Sequence, residues 1–294
     1  MKNFSGFGFG IALVSLSYFL FSSHDAVIKL LVQSVSVWQV LFFRSVTVFA
    51  CCLIIGGQGN AVRAATSDIV KPMAIRSLFL IAAWISFYTA AKSLQLGELT
   101  TIYFAAPVVA TLLAGPMLKE HVPASRWLAV VIGFVGVVIA SNPSGLTLSL
   151  PAYLALQAAC LWAFCTVLLR RTALHETSLV QMTITNFFFV LMTALMLAFE
   201  WREIDLAMTV MLLAVGALGG LAQYTYFEAI RHAPVSVLAP FEYTSLVWAF
   251  ALGYMIWGDI PAHNVTAGAV LISGAGLLIV FGDRIARGRS GLTP

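Results

Sequence analysis

The sequence predicts an all-α polytopic membrane protein with ten transmembrane helices, arranged as two inverted five-helix repeats. Hydrophobic residues make up 61% of the chain, and its mean hydropathy is +0.96. Charged residues make up only 10%, against about 25% in soluble domains. This composition excludes a soluble enzyme, a disordered chain and a disulfide-rich secreted domain.

Ten apolar windows of helix length follow one another with short polar connections. A transmembrane helix needs about 20 apolar residues to cross about 30 Å of hydrocarbon. Helices are expected because the bilayer core offers no water to backbone groups, and the alternation typical of a barrel strand is absent from the sequence. The predicted spans are 7–31, 36–56, 73–93, 99–118, 125–141, 150–170, 179–199, 208–230, 236–257 and 264–282.

Lysine and arginine set the predicted orientation. With the N-terminus in the cytoplasm, 12 of the 16 basic residues fall on the cytoplasmic side, Arg63, Lys71 and Arg76 among them. This bias predicts that both termini are cytoplasmic. The basic residues form no patch with interleaved aromatics, so a nucleic-acid partner is not expected. The expected partners are the lipid bilayer and a small-molecule solute, and the sequence leaves the oligomeric state open.

Residues 1–143 resemble residues 144–294. An offset of 139 pairs Lys92 with Arg231 and Glu120 with Asp259, and an acidic residue is followed by a nearby proline in both copies. Five helices are an odd number, so the second copy enters the membrane from the opposite side. Inverted repeats are typical of secondary transporters that work by alternating access.

Ionisable residues inside the spans are candidates for gating or coupling, because they are costly in hydrocarbon. Asp25 lies one helical turn before Lys29, which predicts an ion pair; it is either a gate or a self-neutralising pair. Arg44 lies near the middle of the second span and meets either a structural partner or a solute carboxylate. Glu228 and Glu242 form either a cytoplasmic gate or an interfacial cluster.

Aromatic residues away from the predicted span ends suggest a solute cavity. Trp84 and Tyr88 are one turn apart and share a helix face, which Lys92 continues outward. Aromatic walls suit an aromatic or cationic solute, although each residue alone could face lipid or pack in the core. The predicted solute-binding residues are Trp84, Tyr88, Lys92, Tyr103, Trp162, Tyr224 and Trp248.

Two backbone features predict motion and close packing. Pro107 interrupts hydrogen bonding in the fourth span and is either a gating hinge or an inert kink. Gly216 and Gly220 have the spacing typical of closely packed membrane helices.

The motifs of other function classes are missing from the sequence. It has no Gly-x-Ser-x-Gly, no His-Glu-x-x-His and no phosphate-binding loop. All four cysteines lie in apolar runs without metal-ligand spacing, so neither a metal nor a cofactor is expected. We therefore expect a secondary transporter rather than an enzyme, with uniport favoured and proton antiport as the alternative.

The chain resembles the EamA-type branch of the drug/metabolite transporter superfamily over nearly its whole length. The residues that carry the resemblance are Lys29 and Arg44, Ala90-Ala91-Lys92, Lys119-Glu120, Leu238–Tyr243 with Val247-Trp248-Ala249, Gly258-Asp259, and Gly268, Gly274 and Gly276. Its aromatic content is similar to that of the YddG-like exporters. The resemblance implies export of aromatic and other amino acids across the bacterial inner membrane. The alternative is export of cationic drugs or nucleobase-like metabolites.

Overall fold

The computed structural model describes residues 2–118, 124–141, 149–172, 175–232 and 241–290. Within these ranges the chain forms helices and no strands. The helices are α1 (Lys2–Leu31), α2 (Val37–Thr66), α3 (Val70–Ala91), α4 (Leu96–Tyr103), α5 (Ala105–Leu118), α6 (Ala124–Ser141), α7 (Leu150–Thr172), α8 (Ser178–Glu200), α9 (Leu206–His232), α10 (Thr244–Trp257) and α11 (His263–Ser290).

Six of the described helices are long and apolar enough to cross a membrane, namely α1, α2, α3, α7, α8 and α9. The prediction of an all-helical membrane protein is therefore confirmed. The landmarks Lys119-Glu120 and Leu238-Ala239-Pro240 lie outside the described residues, as does the start of the predicted span 236–257.

The ends of α2 show how local sequence sets a helix boundary. Ser36 accepts a hydrogen bond from the Gln39 backbone, and the Gln39 side chain accepts one from the Ser36 backbone. This reciprocal capping satisfies donors that the first helical turn leaves free. Gly57 has a φ of 60°, a conformation that favours glycine. The helix therefore kinks where the predicted span 36–56 ends.

The predicted span 99–118 is divided into two helices. α4 ends at Tyr103 and α5 begins at Ala105, with Phe104 between them at a ψ of 4°. Pro107 has no N–H to donate to the Tyr103 carbonyl, so an unbroken helix would lack that hydrogen bond. The interruption thus follows from the proline three residues further along the chain.

Helices from the two halves of the chain pack against one another. α1 packs on α9, α2 on α8, α3 on α7 and α6 on α11. Gly216 and Gly220 bring α9 close to α2. A Cβ on Gly216 would lie 2.7 Å from the Thr47 side chain, and one on Gly220 would lie 2.9 Å from Val48. This confirms the close packing predicted from the spacing.

Candidate functional site

A central cavity lies between the two halves of the chain. Residues of α1 to α5 line it from the first half, and residues of α7, α9 and α10 line it from the second. It encloses about 1240 Å³ of space not occupied by atoms, including the part open to solvent. Its aromatic lining residues are Tyr18, Phe21, Trp84, Phe87, Tyr88, Tyr103, Phe104, Trp162, Tyr226 and Phe227.

Five aromatic rings join α3, α4 and α7 across one wall of the cavity. Phe87 meets Tyr103 edge to face, with 5.0 Å between ring centroids. Tyr103 lies 6.3 Å from Trp162, and Trp84 is stacked 6.4 Å from Tyr88. Because the rings brace one another at favourable distances, they form a preorganised apolar surface.

Arg44 is the most deeply buried charge on the cavity wall, with 1% of the residue exposed. Its Nε donates a hydrogen bond to Nε2 of His24 at 3.3 Å. Its Cζ lies 3.7 Å from the centroid of the Trp84 ring, in cation–π contact. Its Nη1 has no hydrogen-bond partner in the described part of the chain. A buried donor left unbonded costs about 1–3 kcal/mol, so this atom favours binding an acceptor that enters the cavity.

His24 connects Arg44 to Asp25. Since Nε2 of His24 accepts from Arg44, the imidazole is neutral and carries its proton on Nδ1. Nδ1 then donates to the Asp25 carboxylate at 3.1 Å. Gly219 leaves room for this arrangement, because a Cβ there would lie 2.7 Å from His24 Nε2 and 3.0 Å from Arg44 Nε. The three side chains therefore form one ordered polar chain.

Arg76 is a second arginine on the cavity wall. It is 3% exposed, and its Nε donates to the Cys165 carbonyl at 3.2 Å. Its Nη1 has no hydrogen-bond partner among the residues that the structure describes. Arg76 is counted above among the basic residues of the cytoplasmic side. Its side chain turns into the bundle toward the Cys165 carbonyl of α7, so it is also a residue of the cavity wall.

The structure brings seven of the twelve predicted site residues to the cavity: Asp25, Arg44, Trp84, Tyr88, Tyr103, Trp162 and Glu242. Tyr224 and Trp248 are about 40% exposed on the outside of the bundle, and Lys92 does not line the cavity. Glu228 accepts a hydrogen bond from Ser178 at 2.9 Å, also away from it. The side chain of Pro107 lies outside the described residues.

The predicted ion pair between Asp25 and Lys29 is absent. Asp25 is paired with His24, and Lys29 Nζ donates to the carbonyls of Ala91 and Leu94. Lys29 also lies 5.3 Å from the centroid of the Trp257 ring. The prediction failed because the last turn of α3 offers free carbonyls that a lysine can satisfy, as at many helix C-termini.

Sequence reasoning missed several cavity residues, including Tyr18, Gln223, Tyr226 and Arg76. Arg76 and Tyr226 lie near the ends of apolar windows, where polar residues usually lie at the membrane interface. Tyr18 and Gln223 lie well inside their windows, where the sequence does not separate a cavity face from a packed face. Among the described residues, no group of three or more His, Cys, Asp or Glu side chains could hold a metal ion.

An apolar helical bundle around a central cavity of polar and aromatic side chains is typical of membrane transporters. Comparison of the sequence with known families agrees. The chain belongs to the EamA-like transporter family, which matches residues 8–142 and again residues 149–281. The match therefore covers both halves of the chain and confirms the family predicted from the sequence.

Named relatives span nearly the whole chain. It is 25% identical over 289 residues to an S-adenosylmethionine uptake transporter of Rickettsia bellii, covering 95% of this chain and 96% of the relative. It is 23% identical over 269 residues to the pseudopaline exporter CntI of Pseudomonas aeruginosa, covering 90% and 93%. A crystal structure with 15% sequence identity shares the fold at a TM-score of 0.67, covering 96% of this chain and 98% of that one.

Proposed function

We propose that this protein is a secondary transporter that exports amino acids, aromatic ones among them, across the bacterial inner membrane. The observation that carries the proposal is Arg44, a buried guanidinium on the cavity wall with Nη1 unbonded in the described part of the chain. A guanidinium matches the geometry of a carboxylate better than any other side chain does.

The rest of the cavity complements the other parts of an amino acid. The rings of Trp84, Tyr88, Tyr103 and Trp162 offer an apolar surface to a side chain. Asp25 is 29% exposed at its side chain and lies beside the Arg44–His24 pair, where it can accept from an ammonium group. One pocket thus offers a positive group, a negative group and an apolar wall, as a zwitterionic amphipathic solute requires.

The helix packing supports transport by alternating access. We propose that residues 1–143 and 144–294 are two five-helix repeats of opposite topology. In these repeats α1 corresponds to α7 and α3 corresponds to α9. The α1–α9 contact therefore has the α7–α3 contact as its equivalent, and both are present. Because α5 corresponds to α10, the α5–α7 contact likewise has the α1–α10 contact as its equivalent. Such a pair of repeats allows a near-mirror packing that opens on the other side.

The opposite orientation of the two halves is tested by labelling single cysteines in a variant that lacks the four native ones. Cysteines at Gln33 and Glu203, both exposed in loops, react with an impermeant reagent from the periplasmic side. Cysteines at Asp68 and His175, also exposed, react only after permeabilisation. Labelling of Asp68 and Glu203 from the same side would contradict the inverted topology.

The function is tested with purified protein in liposomes. Labelled phenylalanine and tryptophan should exchange across the membrane and compete with each other, and Arg44→Gln should abolish the exchange. Repeating the assay with and without a pH gradient separates uniport from proton antiport. If cationic drugs or nucleobases exchange and both amino acids do not, the amino acid assignment is wrong.

The named relatives extend the panel of solutes. S-adenosylmethionine is the solute in the name of the Rickettsia relative, and it carries an amino acid group that Arg44 could bind. It should therefore compete with phenylalanine if the amino acid group is the part recognised. Methylthioadenosine, which lacks that group, is the matched control and should not compete.

A further inference from the structure

The cavity holds a second unbonded guanidinium that the amino acid proposal does not use. Arg44 Nη1 and Arg76 Nη1 both lie in buried side chains and lack a hydrogen-bond partner among the described residues. Both side chains line the same cavity. The hydrogen bond from Nε of Arg76 to the Cys165 carbonyl fixes the side chain on the wall, so its Nη1 is left for a group that enters the cavity.

The two guanidinium groups are separated along the cavity. The guanidinium of Arg44, which belongs to α2, lies over the Trp84 ring and is therefore at the level of Trp84 on α3. Arg76 precedes Trp84 by eight residues on the same helix, which places their backbones about 12 Å apart along the axis. The two arginines are therefore anchored at different levels of the cavity.

The acidic residues of the cavity already have partners. Asp25 is hydrogen-bonded by His24, and Glu242 shares a side-chain hydrogen bond with Tyr18. No ion pair joins either acid to Arg44 or Arg76 in the described part of the chain. Each arginine thus remains able to bind an anion supplied by the solute.

We propose that Arg76 is a second anion-binding site and that the cavity takes elongated solutes with an anionic group at each end. The end nearer Trp84 binds Arg44, and the other end binds Arg76. Leu80 lies on α3 between the level of Arg76 and that of Trp84 and lines the cavity, so the middle of the solute is apolar. The inference deepens the proposed function, because it depends on Arg44 as the first carboxylate site.

The test measures binding to the full-length protein in detergent or lipid nanodiscs. The probes are straight-chain α,ω-dicarboxylates of increasing length, each compared with the monocarboxylate of equal length. Affinity for the dicarboxylates should pass through a maximum at the length that joins both arginines. At that length the dicarboxylate should bind about tenfold or more tightly than the monocarboxylate, the scale of one charge-assisted hydrogen bond.

Arg76→Gln should remove that advantage, so that the dicarboxylate binds no more tightly than the monocarboxylate of equal length. Equal affinity for the two probe types in the wild type would overturn the proposal. A dicarboxylate advantage that survives in Arg76→Gln would overturn it as well. An arginine that only ties α3 to α7 would lower the melting temperature when replaced and would not alter the ratio of the two affinities.

A second substitution keeps Arg76 in place. Leu80→Glu puts a carboxylate one helical turn away on the cavity wall, where it can pair with Arg76 and exclude the solute's second anion. The dicarboxylate advantage should again be lost, and Leu80→Gln, the uncharged match, should retain it. If Leu80→Glu keeps the dicarboxylate advantage as Leu80→Gln does, the proposed site is rejected. If the wild type binds dicarboxylates in an Arg76-dependent way but does not exchange phenylalanine, only the amino acid function is rejected.

Discussion

The guanidinium of Arg44 lies over the indole ring of Trp84, with 3.7 Å between Cζ and the ring centroid. The contact joins α2 to α3 and fixes the position of a charge inside an apolar bundle. Phe189 of α8 supports the indole from another side, at 5.0 Å between centroids. The pair therefore presents a cation and an aromatic edge to the cavity as one rigid unit.

Replacing Arg44 with glutamine should lower phenylalanine affinity at least tenfold, because a charge-assisted hydrogen bond to a carboxylate contributes about 1.5–3 kcal/mol. Isothermal titration of the purified variant measures the effect. Arg63→Gln is the matched control. Arg63 pairs with Glu176 at the surface, and its side chain is 62% exposed, so affinity in that variant should equal the wild type. Equal losses in the two variants would contradict a local role for Arg44.

Replacing Tyr88 or Trp162 with alanine should impair transport without loss of folded protein. Each removes an aromatic ring from the cavity wall, and the solute loses apolar contact area. Trp248→Ala and Tyr224→Ala remove comparable rings from the exposed outside of the bundle. Initial rates of uptake into liposomes measure all four. Wild-type rates in both cavity variants would show that transport does not depend on the aromatic wall.

The sequence was sufficient for the class of all-helical membrane protein because apolar windows are a local property. Hydrophobic runs gave the bounds of most described helices to within a few residues, and the second window ends next to the kink at Gly57. The break at Phe104 was not located, although Pro107 indicated a disturbance in that span. A proline acts on the backbone one turn earlier, so its position in the sequence is offset from its effect.

The site was predicted less completely, because an apolar helix shows no difference between its lipid face and its cavity face. Tyr224 and Tyr226 are two residues apart and point to different sides of α9. Tyr226 lines the cavity, and Tyr224 is exposed. Lys29 was assigned to Asp25 by spacing alone, while its actual acceptors are 62 and 65 residues away in the chain.

Gly219→Ala should disrupt the polar chain of Arg44, His24 and Asp25. The added methyl would lie 2.7 Å from His24 Nε2 and 3.0 Å from Arg44 Nε, so the side chains must separate. Overpacking of this kind costs about 1–3 kcal/mol. Solute affinity and the melting temperature should both fall.

The matched control for this variant is Gly274→Ala in α11. A Cβ there meets nothing within 4 Å, and alanine is the better helix former. Its melting temperature should stay level or rise. Similar losses in both variants would show that helix packing in general is sensitive, and that the space beside His24 has no special role.

Pro107→Ala should slow turnover more than it weakens solute binding. Alanine restores an N–H that can bond to the Tyr103 carbonyl, which favours a continuous helix across the break between α4 and α5. A straighter helix would carry Tyr103 away from Trp162, its neighbour at 6.3 Å, and would resist the bending that the proposed alternating access requires. Pro151→Ala is the control, because Pro151 lies in the first turn of α7, where proline is tolerated. Exchange rates and equilibrium binding, measured on the same preparations, separate the two effects. If both quantities equal the wild type in Pro107→Ala, the proline is an inert kink and the hinge lies elsewhere.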